Sequence, residues 1–132
     1  MPRLVYSLFA ALLLVGVAAC EDEQVDPDAP VSITFRADRG CTYGNDTVTA
    51  GDTLLVRVVA SQGTNSMRWM RVFKSYDGGP DQRTDSVSIN EDPFTLNKHI
   101  VLRFAPGSER WTFSVLKSNG DAVQRSLTFT VQ

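Results

Sequence analysis

From Val31 onward the chain reads as short runs of β-branched and aromatic residues broken by Gly, Asn, Asp and Pro. Apolar residues at every second position mark half-buried strands. No apolar stripe of useful length recurs at helical spacing. In residues 31–36, Val31, Ile33 and Phe35 share a face. In 53–60, Leu54, Val56, Val58 and Ala60 alternate inward, and Leu55 and Val59 make the other face apolar too, so this strand reads as covered on both sides. Residues 98–104 put Ile100, Leu102 and Phe104 in phase, and 110–117 do the same with Trp111, Phe113 and Val115. Residues 123–131 align Val123, Leu127, Phe129 and Val131, with Arg125 interrupting. Asn119-Gly120 between the last two runs is the dipeptide of a tight hairpin turn. Residues 46–48 and 94–96 read as short edge pieces, and 85–89 as a weak strand. The pattern predicts an all-β fold, a sandwich of about seven antiparallel strands.

Residues 67–76 are the ambiguous strand. One face carries Met70, Val72 and Lys74, the other Trp69, Arg71 and Phe73. Sandwiches often bury a large aromatic on this strand, so Trp69 inward is the default expectation. A one-residue slip inverts it. Trp69, Arg71 and Phe73 would then form an exposed aromatic and basic stripe, the residue types that dominate recognition patches. With Tyr76 and the turn at residues 77–83, this is the candidate binding surface.

Ahead of the β pattern the character changes. Arg3 is the only charge before Glu21, and residues 4–17 are almost wholly apolar. That run is shorter than the ~20 residues a permanent membrane helix needs, and it reads as a signal peptide over residues 1–19. Val17-Ala18-Ala19-Cys20 resembles the bacterial lipobox. The resemblance implies a diacylglycerol thioether on Cys20, cleavage just before it, and anchorage in the membrane by two or more acyl chains. An ordinary secretory signal would be cut at the same place and leave Cys20 a free thiol able to pair with Cys41. Residues 21–30 hold five acids, two prolines and no base, a composition that stays extended as a tether. An acidic run directly after the lipidated cysteine resembles the export signal of surface lipoproteins in Bacteroidota-type bacteria. It implies display on the outer face of the outer membrane, with a periplasm-facing anchor as the other possibility.

The domain proper is residues 31–132. Thr47-Val-Thr-Ala-Gly-Asp-Thr-Leu54, Pro106-Gly-Ser-Glu-Arg-Trp-Thr-Phe-Ser-Val115 and the Asn119-Gly120 hairpin resemble immunoglobulin-like domains of the PKD type and small surface lipoproteins built on them. The resemblance implies an immunoglobulin-like β-sandwich.

Charge narrows the function. The net charge of −2 hides a split: the tether carries five acids, and residues 31–132 carry twelve bases against ten acids. A scattered excess of two bases is no electrostatic footprint for nucleic acid. The sole histidine, His99, has no second histidine or cysteine pair beside it, so no transition-metal set is expected. Gly44-Asn45-Asp46, Asp77 to Asp81 and Glu91-Asp92 offer oxygen ligands for calcium, but such residues also simply turn chains. Cys41 reads as a half-buried small hydrophobe, or as a reactive thiol. The expectation is a non-catalytic module without cofactor or metal. It would be lipid-anchored at Cys20 and bind a protein or glycan partner. The alternative is a structural or assembly component of an envelope complex, joined through an exposed strand edge.

Overall fold

A computed structural model describes residues 29–132. The signal peptide, Cys20 and most of the acidic tether lie outside the described residues. Eight strands follow in order: β1 (Ser32–Phe35), β2 (Asp46–Val48), β3 (Thr53–Ser61), β4 (Met67–Tyr76), β5 (Gln82–Ser88), β6 (Phe94–Val101), β7 (Gly107–Lys117) and β8 (Ala122–Val131). They form a three-stranded sheet, β1-β3-β6, and a five-stranded sheet, β2-β8-β7-β4-β5. With β1, β3 and β6 as strands A, B and E, and β8, β7 and β4 as G, F and C, this is the immunoglobulin arrangement. The first strand switches sheets. After β1 the chain stays beside β3, with Thr42 N donating to Leu55 O at 2.8 Å, and then crosses to run parallel to β8 as β2.

The alternation dictates the core. Ile33 and Phe35 from β1, Val56, Val58 and Ala60 from β3, and Ile100 from β6 face Met70 and Val72 from β4, Trp111, Phe113 and Val115 from β7, and Leu127, Phe129 and Val131 from β8. Phe35 meets Phe113 edge to face across the sheets, with ring centroids 5.5 Å apart, a geometry worth about 0.5–1.5 kcal/mol beyond area burial. Each open side of the sandwich is clasped by one inward-pointing base. Arg125 on β8 donates from Nη1 to Ile33 O at 2.8 Å and stacks over Phe35. Lys98 on β6 reaches Asp85 on β5 at 2.7 Å. Burial pushes the Asp85 carboxyl up, but the Lys98 ammonium and the Thr84 hydroxyl outweigh it and hold it below the usual value.

Three expectations change. The ambiguous strand buries Met70 and Val72 and turns Trp69 outward, so Trp69 is not a core residue. The cause is a β-bulge between Met67 and Trp69, where Arg68 has no partner on β7. The extra residue shifts parity, so that Met67 and Met70 both point inward. Second, β6 ends at Val101: Leu102 is buried and its N–H still donates to Asp52 O, the next position of the register, but the Asp52 N–H turns to Thr49 O, the Arg103 N–H goes to Glu109, and Phe104 is 83% exposed. Third, Leu55 and Val59 on the outer face of β3 are half-buried rather than enclosed under a further layer.

Candidate functional site

The outer face of the five-stranded sheet has no layer over it among the described residues. The register places Trp69 beside Leu116 and Ser88, Arg71 beside Ser114 and Ser86, and Phe73 beside Thr112 and Arg83. Next in line on β8 come Ala122, Gln124 and Ser126. Trp69 is 39% exposed, and Arg71 and Phe73 are half-buried. Thr112 and Ser114 point outward, yet both are buried. Small side chains on an open face are hidden only when larger lateral neighbours lie over them, and Phe73 and Arg71 are those neighbours. Thr112 also shares a 2.8 Å hydrogen bond with Ser126. The long side chains of β4 therefore lie down across a bed of hydroxyls.

Three arginines, Arg71, Arg83 and Arg110, occupy this face, and no carboxylate stands at any of its paired positions. Arg110 is held by Asp81 from the β4–β5 turn at 3.1 Å. Arg71 and Arg83 form no ion pair among the described residues. The Nε of Arg71 is buried without a hydrogen-bond partner. An unsatisfied buried donor costs about 1–3 kcal/mol.

Tyr76 does not join this stripe. It lies opposite Glu109 in the register, and Glu109 points between the sheets. Tyr76 thus belongs to a second constellation, at the end of the sandwich where β4 finishes and β7 begins. There Glu109 is fully buried. Its Oε2 accepts from Arg103 N at 3.0 Å and its Oε1 from Trp111 Nε1 at 3.0 Å. The Arg103 guanidinium and the Lys74 ammonium sit over the Tyr76 ring, and Lys98 sits over Trp111. Arg103 also pairs with Asp77 at 2.7 Å. Asp77, at φ 50, takes the Ser108 N–H on its other oxygen. Gly107 suits this corner, because a Cβ there would collide with Asp77 Oδ1. Both oxygens of Glu109 are engaged by fixed donors, so its chemistry is structural. It pins the β6–β7 connection to the start of β7, the place where many immunoglobulin-like domains use a tyrosine hydroxyl.

Sequence reasoning missed Glu109, although it sits in phase with Trp111, Phe113 and Val115. A charged residue in an inward register was the available signal. Arg110 was missed as a member of the face, and Arg83 was counted with the turn rather than with the strand, because cross-strand register cannot be read from one strand.

The proposed calcium loops are otherwise engaged. Asn45 Oδ1 accepts from Thr128 N, Asp92 Oδ1 accepts from Gln62 N, and Asp77 and Asp81 hold arginines. Among the described residues no three His, Cys, Asp or Glu side chains converge as a metal-binding group. His99 is exposed on the outside of the other sheet, opposite Leu55. Cys41 is a half-buried free thiol.

Two surface carboxyls give the domain an acid dependence. The Arg103 guanidinium, and then the Ser108 N–H, hold Asp77 below its ordinary 3.8, and Arg57 does the same for Asp38 against the smaller opposing effect of burial. A carboxyl with a depressed folded-state pKa stabilises the fold above its unfolded value, and that contribution disappears as pH falls through the folded one. The urea midpoint is therefore expected to stay level from neutral pH down to about 5 and to fall below about 4. Asp77→Asn should lower the neutral-pH midpoint and flatten the acid slope. An unchanged slope in the variant would remove Asp77 from this account.

No protein-family model matches the chain, and no curated protein matches its sequence. Among solved structures, it is similar to the CARDB domain of the PF1109 protein from Pyrococcus furiosus, solved in complex with di-metal ions. The identity is 13%, the TM-score 0.46, and the match covers 83% of this chain and all of that domain.

Proposed function

We propose that this chain is a non-catalytic, lipid-anchored module of the bacterial outer membrane, displayed at the surface, that binds a protein or glycan partner through the outer face of its five-stranded sheet. The observation that carries the reading is Trp69 at 39% exposure, with Arg71 and Phe73 beside it on an uncovered face. Trp and Arg are the residues most enriched where binding energy concentrates. The entry of the chain suits an anchored arrangement. Ala29 is tied to the β3–β4 loop by Thr64 N donating to Ala29 O at 3.0 Å. The described chain therefore begins at one end of the sandwich.

A second reading, an assembly component joined by strand addition, is favoured by the edge at β6. Its eight residues pair only with β3. The edges of the other sheet are a three-residue strand and a bulged one.

In-cell crosslinking separates the two. A benzophenone amino acid in place of Ser88, opposite Trp69 on β5, should yield an adduct in intact cells, and the same probe in place of Thr95 on β6 should yield none. An adduct only at Thr95 would favour assembly, and none at Ser88 would overturn the binding face. The anchor is tested by metabolic labelling with a fatty-acid probe, expected on the wild type and absent from Cys20→Ala.

A further inference from the structure

We infer that the ligand of this face is an acidic glycan, an extended polysaccharide whose uronate carboxylates meet Arg71 while its sugar rings rest on Trp69 and Phe73. The inference rests on the binding face proposed above and names what that face takes.

Charge complementarity comes first. On a domain whose bases exceed its acids by only two, the paired positions of one face hold three arginines and no carboxylate. Asp81 from the β4–β5 turn holds Arg110, while Arg71 and Arg83 form no ion pair among the described residues, so this face keeps two cations open to an acidic ligand. The second point is Arg71 itself. A guanidinium grips a carboxylate with two parallel N–H donors, and the Nε of Arg71 is a donor with no acceptor. A carboxylate arriving over the strand would draw the guanidinium off the sheet and engage that donor.

The third point is spacing. Trp69 to Phe73 is an unbroken stretch of the β4–β7 register. At ~3.3 Å per residue the two rings lie ~13 Å apart with Arg71 midway. A linear array of ring, cation and ring along a strand fits a polymer of a few sugar units and is too long for one small acid. Sugar rings present C–H faces to aromatic rings, and their hydroxyls need a polar bed, which the exposed Ser86, Gln124 and Ser126 provide. A protein partner of ordinary affinity wants a more apolar centre than two aromatics and Leu116 in a field of hydroxyls. A nucleic acid wants more cations than this face holds.

The test uses the full-length lipoprotein in detergent micelles, with polygalacturonate as the acidic probe, a neutral polysaccharide as control and dextran sulfate as a charge control. Affinity is read by calorimetry or affinity electrophoresis. Polygalacturonate is expected to bind and to weaken as salt rises. Arg71→Gln and Trp69→Ala are each expected to weaken it at least about tenfold, which corresponds to about 1.4 kcal/mol. His99→Ala on the other sheet should change nothing. Should Arg71→Gln fail to unfold cooperatively, Arg83→Gln takes its place with the same expectation. Equal binding of the neutral polymer would overturn the acidic specificity and leave the face intact. Equal binding of dextran sulfate, or binding indifferent to both substitutions, would reduce the effect to nonspecific charge and overturn the inference. No glycan binding, with a protein adduct at position 88, would overturn it while keeping the binding face. No adduct at position 88 would remove the binding face itself.

Discussion

Glu109→Ala is expected to lower stability by about 3–5 kcal/mol, since it orphans two buried donors that each cost about 1–3 kcal/mol. These are the Arg103 N–H and the Trp111 indole N–H. A domain of this size is stable by only about 5–15 kcal/mol in all, so the variant should sit close to unfolding at 37 °C. Glu109→Gln keeps one acceptor oxygen and turns an amide donor toward the other partner. It should cost less, about 1–3 kcal/mol. Urea unfolding of both variants checks the order, and a smaller loss for Ala than for Gln would refute it. Trp111→Phe removes the indole N–H while keeping a ring. Combined with Glu109→Gln it should be less damaging than the sum of the two, because both changes break one hydrogen bond. Strict additivity would mean that the bond contributes nothing.

The same glutamate marks the limit of what the sequence makes legible. The inward phases of β3, β7 and β8 could be read directly, because apolar residues recur at every second position in each, with Arg125 the one break in β8, and the core follows from that alternation. The all-β sandwich followed from those runs and their turns, and its immunoglobulin-like type from the resemblance carried by residues 47–54, 106–115 and the Asn119-Gly120 hairpin. Three features did not follow, and each depends on a contact between segments distant in sequence. The bulge at Arg68 is a mismatch between β4 and β7, invisible in β4 by itself, so the side on which Trp69 falls could not be decided there. The strand expected to continue to Phe104 stops at Val101 because its partner β3 turns away there, with the Asp52 N–H going to Thr49 O, and Glu109 captures the Arg103 N–H. The strands number eight, against about seven expected: residues 46–48 form one of their own by finding a parallel partner in β8, while residues 94–96 merge into β6 instead of standing apart. The candidate site was legible in part for the same reason. Trp69, Arg71 and Phe73 share a face by period alone. Tyr76 leaves it by the same period, and the arginines that complete the face come from two other strands.

The two tryptophans should therefore part company under mutation. Trp111→Ala is expected to cost about 3–5 kcal/mol, the range for removing a buried aromatic. It lies at the upper end because the indole is 4% exposed and its N–H is a donor to Glu109. At roughly 4–8 °C per kcal/mol for a domain of this size, the melting temperature should fall by tens of degrees. Trp69→Ala removes an indole that is 39% exposed and lies over Leu116 and Ser88 on an uncovered face. Surface changes of this kind usually stay within about 0.5 kcal/mol. With some apolar contact to Leu116 lost, the cost should remain below about 1 kcal/mol. Fluorescence supplies an independent readout. The Trp69→Ala protein retains only the buried indole and should emit at shorter wavelength than the wild type, with an unchanged urea slope. A loss of several kcal/mol on Trp69→Ala would place that side chain among the residues that hold the sheets together. The exposed stripe beside Arg71 would then lose its claim to be a surface kept free for a ligand.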